Sequence, residues 1–203
     1  MALSNYTELQ AAVATWLERD DLTASIVDFI ALAETEIRNK VRVHEMITRS
    51  DITVNARQIS KPTRFADGIT LKLKTNPITV LESLSPYEMD RYRRETSGKP
   101  KYFTVHTEIE FDRAPDSSYT GEIIYYQYPD ALSSTATNDV LSNYPAIYLY
   151  GTLKQSAPVL MHDERITVWE ALFNQAVTDA NLATQRQMKR MGPQVAKVVG
   201  RGP

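Results

Sequence analysis

The hydrophobic period of this chain changes twice, and that change restricts the fold more than any other feature. From Leu9 to Val41 apolar residues recur every three or four positions; from about residue 47 they alternate with polar ones; from Tyr144 the longer spacing returns. A period near 3.6 gives helices one apolar face and a period of 2 does the same for strands, and neither pattern substitutes for the other. The expected fold is therefore α+β: a helical domain interrupted by a small, mostly antiparallel β insertion, with an extended C-terminal arm. The boundaries fall at 1–45 and 144–189 for the helical domain, 46–143 for the insertion and 190–203 for the arm.

Local signals fill in the elements. Asn5 and Glu8 form a capping-box pattern ahead of Leu9, Ala12, Val13, Trp16 and Leu17, one face of an amphipathic helix. After the short link "DDLT" a second helix carries Ile26, Phe29, Ile30, Ala33, Ile37 and Val41, which predicts an antiparallel hairpin. "RSDITVNARQI" and "GITLKLK" alternate as half-buried strands do, and Asp67-Gly68 between such runs reads as a turn. "SPYEMDRYRRE" predicts a short helix with Ser85 as N-cap and Pro86 in its first position. Further strands are expected at 102–106, 108–112 and 119–128, then a polar connection over 129–143. The last helix, about 163–189, carries Trp169, Leu172, Phe173, Ala176, Ala180 and Ala183 and ends at Gly192-Pro193.

Composition removes several classes of function. At 203 residues, 42% hydrophobic and 24% charged, the chain can bury a core, and its net charge of -2 exerts no overall pull toward nucleic acid or anionic membrane. Cysteine is absent, which excludes disulfides, thiolate metal sites and cysteine nucleophiles. No run approaches the roughly 18 apolar residues of a membrane helix, and "MALSNYTELQ" lacks a signal peptide's regions. A soluble protein made in the cytoplasm, without membrane contact, is the expectation. His44, His106 and His162 are scattered, and in "MHDER" adjacent residues on a helix diverge by about 100° and do not close on one metal. No glycine lies in a phosphate-binding pattern. No catalytic, metal or cofactor site is expected from these residues. The best acid–base candidate is "HTEIEFD", where Glu108, Glu110 and Asp112 share a strand face about 7 Å apart at each step. Paired carboxylates could serve a hydrolase; the alternative is a solvated face opposite buried Ile109 and Phe111, its charge offset by Lys72 and Lys74.

Two segments point to partners. The C-terminal stretch holds Arg186, Lys189, Arg190, Lys197 and Arg201 together with Val195, Val198 and Val199. A basic tail that merely frays is one reading. An arm that orders on a partner, with valines as anchors and cations for steering, is the other, and a nucleic-acid-binding module a third. In "NYPAIYLYGTLKQSAPVL", Tyr144, Ile147, Tyr148 and Gly151 form one stripe and Ala146, Leu149, Tyr150, Leu153 and Ala157 a second. A helix apolar on most of its circumference needs neighbours all round, and the first stripe is expected to meet another subunit. Pro158 predicts a break near Ala157.

"YTELQAAVATWLERDDLTASIVDFIALAETEIRNKVRV", "SPYEMDRY", "SGKPKYFTV", "FDRAPDSSYTGEIIYYQYPDALS" and above all "LSNYPAIYLYGTLKQSAPVLMHDERITVWEALFNQAV" occur in an order that resembles the head-to-tail adaptor (connector) proteins of tailed bacteriophages. The chain departs from that pattern at "VNARQISKPTRFADGITL". The resemblance implies a structural, non-enzymatic protein of the virion neck. It would form a homo-oligomeric ring, typically dodecameric, beneath the portal protein. The helical domain would make the ring, the arm would reach the portal, and the insertion would face tail proteins (nozzle, tube or fibre). Genomic DNA would pass through without sequence-specific contact.

Overall fold

The computed structural model describes residues 3–19, 21–160 and 164–191. In chain order the elements are α1 (Tyr6–Leu17), α2 (Thr23–Lys40), β1 (Ile47–Val54), β2 (Gln58–Ile59), β3 (Phe65–Leu73), β4 (Thr79–Ser83), α3 (Pro86–Tyr92), β5 (Tyr102–Val105), β6 (Ile109–Phe111), β7 (Tyr119–Gln127), α4 (Asp139–Asn143), α5 (Pro145–Gln155), α6 (Ala157–Leu160) and α7 (Arg165–Met191). The fold is α+β, with two compact units: a helical one within 1–44 and 130–203, and a β one within 45–129.

In the helical unit the predicted caps form. The Asn5 side chain accepts from the Glu8 amide at 3.0 Å, while the Glu8 carboxylate reaches back to the Ser4 amide at 2.8 Å. Leu9, Ala12, Val13 and Leu17 turn inward, as do Ile26, Phe29, Ile30, Ala33, Ile37 and Val41. Trp16 does not: it is 44% exposed. The C-terminus of α2 is fastened to α7 by two polar side chains. Asn181 accepts the Arg42 amide at 2.9 Å and donates to the Lys40 carbonyl at 2.9 Å, and the Thr184 hydroxyl accepts the His44 amide at 3.0 Å. Carbonyls and amides freed at a helix end are thus satisfied where the chain leaves the unit.

The β unit is one seven-stranded sheet in the order β1-β7-β3-β4-β5-β6-β2. Its neighbours pair antiparallel except β4 and β5, which run parallel. Val54, Leu71, Leu73, Leu81, Phe103, Ile109, Phe111, Ile123 and Tyr125 form its core. Ser85 caps α3 as expected, with Pro86 at its start, and Glu88 adds the return half of a capping box.

Three expectations are corrected. Asp67-Gly68 is not a turn: both lie inside β3, paired with Tyr126 and Tyr125 across register shifts. The strand bulges there and the reversal comes earlier, where Arg64 takes φ 56°. β4 was not anticipated from sequence, because its outward Val80, 63% exposed, breaks the expected alternation. Residues 129–143 are not a bare connection either. They bury Leu132, Val140 and Leu141, contain α4 and belong with the helical unit from Asp130 onward.

Candidate assembly surfaces

α5 is the centre of the helical unit. It packs against α1, α2, α4 and α7, so its own chain supplies the enclosure that the two apolar stripes require. Ile147 is 1% exposed, Tyr148 0%, and Gly151 is buried. These three candidate interface residues therefore have no surface left for a partner, and the expectation that they meet another subunit is corrected. A Cβ on Gly151 would lie 3.1 Å from the Phe173 ring and 3.5 Å from Ala33, so its absence lets α2, α5 and α7 converge. Only Tyr144 of the four remains half-exposed. Pro158 acts as expected: α5 stops at Gln155, Ser156 caps it, and the short α6 follows.

Tyr148 is held by polar contacts that the sequence reading missed. Its hydroxyl accepts from Asn138 Nδ2 at 2.8 Å, the same amide donates to the Asp130 carbonyl, and Asn138 Oδ1 caps α4 through the Leu141 amide. Burial pushes the Tyr148 phenol upward. Asn138 three residues ahead of Leu141 was a legible N-cap signal within an otherwise polar stretch.

Beside this network Glu34, 9% exposed, accepts the Leu132 amide at 2.7 Å. Burial raises its carboxyl above the ordinary carboxylate range. Between the unfolded and the folded pKa the folded chain holds a proton that the unfolded chain has lost, so stability falls as pH rises through that window. Glu34→Gln keeps an acceptor for Leu132 but no titrating proton. The variant is expected to be at least as stable as the parent at neutral pH, with a flatter stability profile as pH rises above the ordinary glutamate pKa of about 4.3. Denaturation followed by tryptophan fluorescence tests this; a variant weaker at neutral pH with the slope retained would refute it.

The surface of the helical unit carries two features. At the start of α5 a groove of about 390 Å³ is lined by Asn143, Tyr144, Pro145, Ala146, Ile147, Ala176, Asp179 and Ala180. Farther along, Trp16 meets Tyr150 edge-on at 6.0 Å between ring centres. Arg165 lies 5.2 Å over the Trp169 ring and donates to the Trp16 carbonyl at 3.3 Å, beside Val168, which is 55% exposed. Of the predicted arm, Arg186 is exposed on α7, and Lys189 and Arg190 fall within that helix. Val195, Lys197, Val198, Val199 and Arg201 lie outside the described residues, as do His162 and Asp163.

The strand carboxylates are neither solvated nor offset as expected. Asp112 is fully buried and accepts from the Lys101 and Tyr102 amides at 2.9 and 3.2 Å and from Arg113 Nε at 2.8 Å. Glu110 contacts His106 at 3.1 Å, with Arg57 and Arg93 at 3.8 and 4.0 Å, and Glu108 is half-buried. Lys72 and Lys74 instead serve Glu122, at 2.8 and 3.7 Å, and Lys74 also pairs with Asp51 at 2.6 Å. Among the described residues no group of three or more His, Asp or Glu could hold a metal ion, and no helix is long and apolar enough to cross a membrane.

The polar groups of the strand candidate, Asp112 and Glu110, are bound up in contacts within the chain. The family model for the SU10 adaptor protein matches residues 4–197. The chain belongs to the SU10 adaptor protein family. No curated protein matches the chain. Membership of the SU10 adaptor family gives it the structural role of a phage adaptor, and the match spans both the helical and the β unit.

Proposed function

We propose that this SU10 adaptor is a ring subunit at the head–tail junction of a virion, joining the portal to the tail around the channel through which DNA passes. The observation that carries the reading is the family match over residues 4–197. In this scheme the helical unit builds the ring, with twelve copies as the expected number, and the β unit faces the tail proteins. The segment from Arg186 onward contacts the portal through its cations and valines. The polar duties of Asp112 and Glu110 weigh against a hydrolase on that strand.

Deleting residues 186–203 tests the arm. The truncated chain is expected to fold, with unchanged tryptophan emission, yet to lose portal binding by about a hundredfold or more, as when a cluster of interface anchors is removed. Portal binding unchanged by the deletion would reject the arm, and a DNA affinity of the full chain that falls steeply with salt and is lost on deletion would favour the nucleic-acid reading of the basic segment.

A further inference from the structure

A ring built head to tail needs two different faces on each subunit, and the Ile147, Tyr148 and Gly151 side of α5, being enclosed, supplies neither. The surface between α1 and α7 is one candidate. Asn143 ends α4, and Ala146 and Tyr150, both half-buried, follow at helical spacing on α5. Val168, Leu172, Ala176 and Asp179 recur at helical spacing along the flank of α7. The groove at Tyr144 and the exposed Trp16 close to Tyr150 mark the two ends of this row of partly exposed residues, the α5–α7 furrow. Arg165 stands at its Trp16 end and Asp179 at its Tyr144 end.

The outward side of α2 is a second candidate. Glu36 of α2 receives Lys154 at 2.7 Å and Gln155 at 3.1 Å, and Ala33 meets Gly151. At about 100° per residue, Ala146 and Tyr150 lie on average roughly 110° around α5 from Gly151, Lys154 and Gln155, so the furrow and α2 occupy different sides of the central helix. The outward side of α2 bears Ala24, Val27, Ala31, Leu32 and Thr35, with Val27 41% and Leu32 54% exposed. Exposed Asp28 and Arg38 frame it.

Resting on the ring reading above, we infer that the α5–α7 furrow of one copy receives the outward face of α2 from the next copy. Charge selects both the partner and its direction. With the α2 N-terminus at the Trp16 end, Asp28 approaches Arg165 and Arg38 approaches Asp179. The two charges on α2 are about 15 Å apart and those on α7 about 21 Å, a difference that long arginine side chains span. Trp16, Tyr150 and Arg165 are residue types that dominate interface energetics, and a helix laid into an apolar groove is an established mode of recognition.

The absence of cysteine allows a clean test. Full-length Leu32→Cys and Val168→Cys chains, each made singly, are assembled with the portal, separately and mixed, then treated with a short thiol-bridging reagent. Covalent dimers are expected in the mixture and in neither variant alone. Bridging in either variant alone, or none in the mixture although several copies sit on the portal, overturns the furrow. A portal that holds no multiple copies overturns the ring reading, and the furrow falls with it. Arg38→Glu and Asp179→Arg should each reduce the copies bound by about tenfold, and the two together in one chain should recover most of that loss. Unchanged tryptophan-detected melting shows that the variants fold; a double variant no better than the singles also overturns the assignment.

Discussion

Phe173→Ala is expected to destabilise the helical unit by about 3–5 kcal/mol, as removal of a fully buried aromatic does. Phe173 is 0% exposed and fills the space opened by Gly151, and Lys154 lies 4.7 Å over its ring. Truncation removes the contact that locks α7 to α5, and the surrounding helices cannot close on the space without moving Trp169 and Val177, both buried on the same helix. The chain has two tryptophans, Trp16 and Trp169, both in the helical unit, so denaturation followed by tryptophan emission reads that unit. Phe173→Leu should cost less, because much of the volume remains. An alanine variant that shifts by less than about 1 kcal/mol would show that the helices are not held through this ring.

Asp112→Ala should have an effect of similar size on the β unit. The carboxylate is fully buried and satisfies two backbone amides and Arg113 at once, so alanine strands three donors away from water. Breaking a buried polar network in this way costs about 3 kcal/mol or more. Asp112→Asn keeps an oxygen for the two amides but sets an NH2 donor against Arg113 Nε, losing the charge and that one hydrogen bond, and a smaller cost of about 1–2 kcal/mol is expected. Amide hydrogen exchange at β5 and β6 is the appropriate readout, since the tryptophans lie outside this unit. Equal effects of the two substitutions would mean that the charged contact with Arg113, and not the paired acceptance from the two amides, is what Asp112 contributes.

Much of the fold was legible because local patterns and tertiary structure agree. Asn5, Ser85 and Pro86 act on their own turns, and their roles follow from chemistry a few residues long. Periodicity likewise placed α2, α7 and the strands around Ile109, Phe111 and Ile123. The misreadings share a cause. β4 carries an exposed valine, Asp67-Gly68 has turn chemistry used as a bulge, and 129–143 looks polar although Leu132, Val140 and Leu141 are its anchors. In each case contacts distant in sequence outweigh the local signal, and a single sequence does not display them.

The helix from Pro145 marks the division most clearly. Sequence alone determined that it must be surrounded, because apolar groups cover most of its circumference and hydrophobic burial is indifferent to which chain supplies the cover. Tertiary structure decided that α1, α2, α4 and α7 of the same chain supply it, sealing Ile147, Tyr148 and Gly151 inside. It also left Trp16, Val168 and Leu32 at the surface, although Trp16 falls in a pattern that reads as inward. Periodicity records the angle at which a side chain leaves its helix; what stands opposite that angle depends on how the helices are arranged in space.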